Sequence, residues 1–468
     1  MAGLRKTTAW WWWSRRVVAK EGARWSSSSL RERGEALGLK FYQFSFVDLF
    51  GQQRSKLVPV ARADEIAASG AGFAGFACYL RLAPTDGDVL AKPDPSTLTV
   101  LPWNREVGWI SCDLEWRGAE LDHGPRNVLR RVLGTLRDKY GLSMKCGVEC
   151  EFFLVDGVGG VSDRLDSSPK PCYDAHALMR RYAVVRELVL GMEALGWGPY
   201  QADHEDANGQ FEVNWDYADA LATADRVAFF KYMTRSVAEK HGLRATFMPK
   251  PFADLTGSGC HCHVSLHAPD DKNVCAGEDR PHGLSKIAAN FLGGILDAAP
   301  ALAAVANPTV NSYRRIHAST TTSGATWSPD AVCWGGNNRT VLVRVPEAPR
   351  LELRLADMAA NPYLWPAALL AAGLNGLDLG SDPGDPADCN MYDATCPRAA
   401  AVRSRVPKLP SSLRPALANF SATPAFRDYL GSSTVDAYLE LKSRHCDDYD
   451  RFIAAHVSPW ERDHYLDV

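Results

Sequence analysis

Carboxylates, imidazoles and guanidinium groups cluster at a few places in this chain. In Val148-Glu149-Cys150-Glu151-Phe152-Phe153 two acids alternate with other residues, and a strand period of two puts Glu149 and Glu151 on one face. Like charges side by side repel, so either a cation sits between them or the face is solvated. His204-Glu205-Asp206-Ala207-Asn208-Gly209-Gln210-Phe211-Glu212 offers a glycine turn between two further acids. Such a turn brings Glu205 and Glu212 to one point, although an ordinary polar loop has the same composition. In Gly257-Ser258-Gly259-Cys260-His261-Cys262-His263-Val264-Ser265 the period of two separates His261, His263 and Ser265 from Cys260 and Cys262. That alternation argues against one zinc ion held by all four cysteines and histidines, because neighbours on a strand point opposite ways.

A fourth group is basic: Tyr313-Arg314-Arg315, Asn338-Arg339, Arg344, Arg350 and Arg354, with Glu352 on the same strand face as Arg354. Arginine forks bind phosphates and carboxylates bidentately, and they also form surface ion pairs. Taken together, Glu149, Glu151, Glu205, Glu212 and Glu352 with His261 form a set of hard oxygen ligands and one imidazole. Mg²⁺ or Mn²⁺ suits that set. With a ring of arginines, the chemistry indicated is phosphoryl transfer assisted by two or more divalent ions.

The elements that must position these groups are strands and helices in alternation. Tyr42 to Val47 alternates apolar and polar, Asp48 to Gly51 offers a turn, and Lys56 to Val60 reads as the return strand. Residues 35–120 read as a small, mostly β domain. From Pro125 helical periodicity begins with Val128, Leu129 and Val132. A helix is expected over about Tyr173 to Leu195, with Leu178, Tyr182, Val185, Val189 and Met192 on one stripe. Another is expected from Ala220 to His241, closed by Gly242. Strands are expected at Val148 to Val155, Phe211 to Trp215, Cys260 to His267, Val341 to Val345 and Leu351 to Leu355. The fold class is α+β, with residues 121–468 forming one large domain.

Composition excludes several classes. The chain has 468 residues, 46% hydrophobic and 23% charged, with a net charge of −3, so no global basic field points to nucleic acid. No uninterrupted run of 18 apolar residues predicts a membrane span. Twelve cysteines are scattered without a CxxC pair, which fits buried reduced thiols rather than a disulfide scaffold. Residues 1–30 differ from the rest: six basic residues stand against Glu21 alone, with Trp10 to Trp13 and Ser26 to Ser29. That composition predicts an organelle transit peptide, mitochondrial rather than plastid, with a cytoplasmic protein as the alternative.

The motifs in order resemble the glutamine synthetase family over nearly all the chain after about residue 40. They are Gly147 to Phe152; Glu205 to Glu212; Lys250-Pro251 then Gly257 to His263; Asn307-Pro308 then Asn311 to Arg315; Asn338-Arg339 with Arg344; and Glu352 to Arg354 before Asn361-Pro362-Tyr363. The stretches His204 to Phe211 and Thr322 to Pro329 look most like the type III glutamate–ammonia ligase branch. The resemblance implies an N-terminal β-grasp domain, a catalytic domain with a curved antiparallel sheet, and a homo-oligomeric ring with active sites between subunits. It implies one metal on Glu151, Glu205 and Glu212, a second on Glu149, His261 and Glu352, and two or three ions per site in all. His263, Ser265, Arg344 and Arg350 would serve ATP, with Tyr217 stacked on adenine. Gly257, Arg315 and Arg354 would hold L-glutamate, with Arg339 near the transferred phosphate.

The implied reaction makes γ-glutamyl phosphate from ATP and glutamate, and ammonia then displaces phosphate to give glutamine. Two departures concern the acceptor. Ammonia-using members carry acids where this chain has Ala74 and Thr321, so methylamine or another small amine is an alternative, and Asp330 and Glu347 are candidate substitute acids. Thr256 replaces an asparagine ahead of Gly257, and Tyr392 is expected to be an ordinary surface tyrosine. A non-catalytic oligomeric scaffold and a metal-dependent hydrolase are the competing classes.

Overall fold

The structure, a computed structural model, describes residues 28–318, 321–346 and 349–465. The residues given above as a transit peptide lie outside it except at their end. There Ser29 caps the helix Leu30–Leu37: its side chain accepts from the Glu32 amide, and Glu32 reaches back to the Ser29 amide. Leu30 is buried, so residues ahead of position 35 already belong to the packed fold.

The strand Phe41–Val47 pairs antiparallel with Gln53–Pro59 and parallel with the long strand Asn104–Trp116. Asp48 fixes the hairpin turn, accepting from the amides of Phe50 and Gln52 at 3.0 Å each. Alternation drives Tyr42, Phe44 and Phe46 to one side, where they meet Val58, Ile110 and Leu114 in a core of their own. The sheet is completed by Ala71–Ala74, Asp88–Pro93, Thr99–Leu101 and Ala119–Glu120.

Arg126, in the helix Pro125–Tyr140, joins this sheet to the rest. Its guanidinium donates to Asp94, Asp113 and Asp225 at 2.8–3.1 Å while being nearly buried. Breaking such a cluster by removing one partner costs about 3–5 kcal/mol, because the remaining charges stay buried.

Beyond it two sheets share the catalytic region where one was expected. One has the order Pro199–His204, Gln210–Trp215, Cys150–Val155, Arg244–Thr246. The other runs Ala218–Asp219, Ser143–Val148, Cys262–His267, Leu351–Leu353, Val343–Arg344, Trp334–Gly335. Their pairings are antiparallel except the last, which is parallel. The expected strand from Val148 to Val155 is therefore two strands, divided at Glu149, and the chain changes sheets there.

The expected helix from Tyr173 to Leu195 is also two, Ala175–Arg180 and Tyr182–Ala194, because Arg181 leaves helical geometry. Tyr182 is half exposed; the buried face is Val184, Val185, Leu188, Gly191 and Met192. Ala220–Lys240 is helical as the pattern predicts, and Gly242 follows at φ 71°.

The helix Lys286–Ala306 is long and apolar enough to cross a membrane by length and composition, and 78% of its most apolar window is buried in the fold. It packs on Leu364–Leu379 at glycine contacts. A Cβ on Gly294 would stand 2.3 Å from the Ala372 carbonyl and 2.5 Å from the Gly376 Cα. Only glycine permits that approach.

Candidate active site

Glu149 is the hinge of the site. Its amide donates to the His261 carbonyl at 3.0 Å, so the crossing between sheets is itself tied to the third motif. Because the chain turns there, Glu149 and Glu151 serve different clusters. Glu149, His261 and Glu352 bring one ligand atom each within 4.8 Å of one another, and Glu151, Glu205 and Glu212 do the same. Among the described residues these are the groups of three or more such side chains able to hold a metal ion.

Register explains the second group. Glu151 and Glu212 stand directly opposite on paired strands, a like-charge pairing that is destabilising without a counter-charge. Burial, together with the neighbouring carboxylates Glu151 and Asp203, pushes Glu205 well above the usual carboxylate range; Glu212 is pushed up by burial and by Glu149 and Glu205. Glu151 accepts from the Gly259 amide at 2.7 Å and from Gln210 at 3.1 Å.

In the first group, burial alone would raise Glu149. Hydrogen bonds from His261 and His263, at 2.8 Å each, hold it well below its ordinary value instead. Arg350 Nε donates to His263 Nδ1 at 2.9 Å, so His263 carries its proton on Nε2, facing Glu149. His261 uses Nδ1 on Glu149, and its buried Nε2 has no hydrogen-bond partner. Glu352 Oε2 is likewise buried and without a hydrogen bond: Arg344 Nε lies 2.7 Å away but out of line. An imidazole lone pair beside a carboxylate oxygen that accepts no hydrogen bond fits a divalent cation. Cys260 and Cys262 are buried on other faces, and Cys262 contacts Cys146.

Glycine lets the anion-binding groups close in. A Cβ on Gly259 would lie 2.9 Å from Glu151 Oε1, 3.0 Å from Arg315 Nη2 and 3.0 Å from His261 Nε2. A Cβ on Gly257 would meet the Pro249 carbonyl at 2.4 Å and Arg315 Cγ at 3.0 Å. Arg315 is buried, with Nη1 on the Leu355 carbonyl at 3.0 Å. Arg354 is buried beside it and donates to Glu352. Arg344 is buried, with Nε and Nη1 making no hydrogen bond and Nε in an ion pair with Glu352. Arg339 is exposed on the loop after Asn338, whose amide is pinned to the carbonyls of Ala387 and Cys389.

Beside the first metal group opens a cavity of about 330 Å³, lined among others by Gly147, Glu149, Tyr217, His263, Ser265 and Arg350. Tyr217 is 61% exposed at its rim, an aromatic face available for stacking. Ser265 is held by His267 at 3.0 Å.

A model of the glutamine synthetase catalytic domain matches residues 122–465. The chain belongs to the glutamine synthetase family. It is 49% identical over 432 residues to the glutamine synthetase of Rhizobium leguminosarum bv. phaseoli, covering 92% of this chain and 97% of that protein. It is 38% identical over 436 residues to the glutamate–methylamine ligase of Methyloversatilis universalis, covering 92% and 96%. A solved structure described as a GmaS/ADP complex superposes with a TM-score of 0.88 at 50% identity, over 94% of this chain and all of that one.

These relatives correct one expectation. They come from bacteria, and others of the glutamine synthetase family that match come from archaea. A mitochondrial address, read from the basic leader, does not fit proteins of organisms without mitochondria.

Within the glutamine synthetase frame one residue escaped the sequence reading. Asp206, next to Glu205, is buried and accepts from Thr256 at 2.7 Å and Ser323 at 2.5 Å. It thereby ties the loop carrying Thr321 to the residue preceding Gly257. Its signal in the sequence was an acid adjacent to a ligand acid, which period and spacing alone leave unassigned. The same loop presents the Trp327 carbonyl to Arg354 at 3.3 Å, with Trp327 at φ 52°. A left-handed tryptophan costs roughly 1–3 kcal/mol, so the loop is held against strain.

Other residues lie apart from the clusters. Ala74 is at the exposed end of the Ala71–Ala74 strand in the N-terminal sheet. Asp330 lies 3.6 Å from Arg403 and is exposed. Glu347 is outside the described residues. Tyr392 differs from the expected surface tyrosine: it is partly buried, its hydroxyl donates to the Ser328 carbonyl at 3.2 Å, and the Arg354 and Arg315 charges reach it.

Proposed function

We propose that this enzyme joins the γ-carboxylate of L-glutamate to an amine at the expense of ATP, through γ-glutamyl phosphate. The observation that carries the reading is the pair of three-ligand clusters beside a nucleotide-sized cavity, with buried arginines on the other side. Divalent ions held there, Mg²⁺ or Mn²⁺ by the hardness of the donors, would neutralise phosphate charge and polarise the transferred group.

The chain's own groups divide the remaining work. Tyr217 stacks on the adenine, and His263, Ser265 and Arg350 line the nucleotide cavity. Arg344, ion-paired to Glu352 through Nε and with Nη1 free of protein hydrogen bonds, meets a phosphate. Arg339 approaches the γ-phosphate from its exposed loop and opposes the charge that develops as it transfers. Arg315 and Arg354 hold glutamate, with the Gly257 backbone at its side. The attacking amine must be neutral, so an acid must take its proton before the second step.

The acceptor is ammonia, with methylamine as the second reading. Ala74 and Thr321 favour the second: an ammonium ion calls for anionic neighbours, and a methyl group fits beside small or neutral side chains. The parallel pairing of Phe41–Val47 with Asn104–Trp116 supports a β-grasp domain over residues 35–120, followed by a catalytic domain over 121–468. Stretches 204–211 and 322–329 support placement beside the type III branch. The exposure of Ala74 supports an oligomeric ring in which a neighbouring subunit's N-terminal sheet completes each site. Initial rates of ADP release with glutamate and either ammonium or methylamine, with the product identified by mass, test this reading. Turnover that ignores both amines would refute it.

A further inference from the structure

A pair of thiols stands under the arginine loop. Of the twelve cysteines, Cys172, Cys389 and Cys396 are only partly buried, and the others are fully buried. Cys389 and Cys396 pack against the same small core, with Ala387, Met391 and Ala399, close enough for each thiol to influence the other. They flank the turn Asn390 to Thr395, in which Asp393 caps the Thr395 amide at 2.8 Å. Cys389 Sγ also lies 3.8 Å from Met391 Sδ. Burial and the neighbouring Cys396 thiol push the Cys389 thiol up, and Arg398 and Arg403 pull against that rise without reversing it. Neither side chain touches the metal clusters or the nucleotide cavity.

The backbone between them is part of the scaffold of the site. Asn338 Nδ2 donates to the carbonyls of Ala387 and Cys389 at 2.9 and 2.8 Å. Met391 N donates to Thr340 Oγ1 at 3.0 Å, and Tyr392 reaches the Ser328 carbonyl. Thus residues 387–392 grip both sides of Arg339.

We propose that Cys389 and Cys396 are a redox pair that closes to a disulfide and withdraws Arg339 from its working position. Hydrogen peroxide is the oxidant. One thiolate attacks the O–O bond, giving a sulfenic acid and, after protonation, water. The second thiol then displaces the sulfenic oxygen as a second water and forms the S–S bond. Two thiols and one peroxide thus give one disulfide and two waters. Both thiols pack against one small core on either side of a short turn, and closing the S–S bond requires that turn to absorb the remaining change in side-chain geometry. Exchange with an external dithiol reopens it. The effect on rate rests on the ligase reading and on Arg339's role there; the disulfide itself does not.

The test uses the full-length enzyme treated with hydrogen peroxide, digested without reduction and mapped by mass spectrometry, with ADP release measured in parallel. Expected are a crosslinked peptide containing Cys389 and Cys396 and a fall in kcat of roughly ten- to hundred-fold, as a small displacement of a positioned group produces. Dithiothreitol should restore the rate. Cys389→Ser and Cys396→Ser should keep the untreated rate and lose the dithiothreitol-reversible part of the inhibition. Absence of that crosslink while other cysteines oxidise overturns the proposal. So does a crosslinked enzyme that keeps its full rate, or equal reversible inhibition in the serine variants. A failure of the ligase reading would show separately, as a reduced enzyme without amine-dependent turnover.

Discussion

Arg354 Nη1 donates to Glu352 Oε1 at 2.5 Å from two residues further along the chain, with both side chains buried. Burial would raise the Glu352 carboxyl, but the Arg354 charge holds it below its ordinary value, so it is kept ionised, with Oε2 free of hydrogen bonds and Arg344 Nε 2.7 Å away. Glu352→Ala should therefore lower the rate of ADP release by about 10²–10³-fold, the scale for losing a preorganised electrostatic contact. Circular dichroism should remain that of the folded chain. An unchanged rate would remove Glu352 from the chemistry.

Tyr217 offers an exposed ring at the rim of the cavity beside Glu149, where the proposed reading seats the nucleotide. Aromatic stacking contributes about 0.5–1.5 kcal/mol. Tyr217→Ala should raise the KM for ATP by roughly three- to ten-fold and leave the KM for glutamate alone. Steady-state kinetics with each substrate varied in turn separate these outcomes.

Asp206 holds the loop of Thr321 through Ser323 and Thr256. Asp206→Ala leaves those hydroxyls without their acceptor and frees the loop, so kcat/KM for the amine should fall by roughly ten- to hundred-fold. Asp206→Asn keeps an acceptor oxygen and should retain much of the activity. Equal losses in the two variants would mean that charge, rather than the tether, is what matters.

Lys442, in the helix Ser432–Ala454, is buried against Phe50, with its ammonium 4.3 Å from the ring centre. Burial brings its pKa down to about 8, against the opposing pull of Asp48 and Asp357. Between about pH 8 and the ordinary lysine value near 10.4 the unfolded chain holds more protons than the folded one. Stability contributed at this site therefore rises with pH through that window, and the penalty is fully present below it. Lys442→Met should be more stable than the parent at pH 7, by up to about 3 kcal/mol, and the gap should shrink by pH 10. Denaturant midpoints at the two pH values check this; a gap independent of pH would contradict it.

Much of this site was readable in the sequence because it is local. Alternation in Val148 to Phe153 and in His261 to Ser265, and the turn at Gly209, identify acids and imidazoles without a fold. The change of sheets was not readable. Only the hydrogen bond from the Glu149 amide to His261 interrupts an otherwise continuous strand pattern, and that contact spans more than a hundred residues. Period two placed Glu149 and Glu151 on one face, whereas the turn assigns them to different clusters. Asp206 was missed, and Tyr392 reads as a surface residue, for a related reason: their partners, Ser323 and Ser328, come from distant loops. Arg126 joins three aspartates from separate elements, and no spacing rule connects them. The break at Arg181 shows the opposite limit, since a helical stripe continued through a residue whose backbone does not.

The central claim is that the strand crossing at Glu149 aims six side chains into two separate cation sites. Counting Mn²⁺ bound per chain by calorimetry or electron paramagnetic resonance tests it most directly, in the parent and in Glu212→Ala and Glu352→Ala. At least two ions should bind to the parent, with one lost in each variant and a different one each time. A parent that binds fewer than two, or variants that bind as many as the parent, would contradict the account.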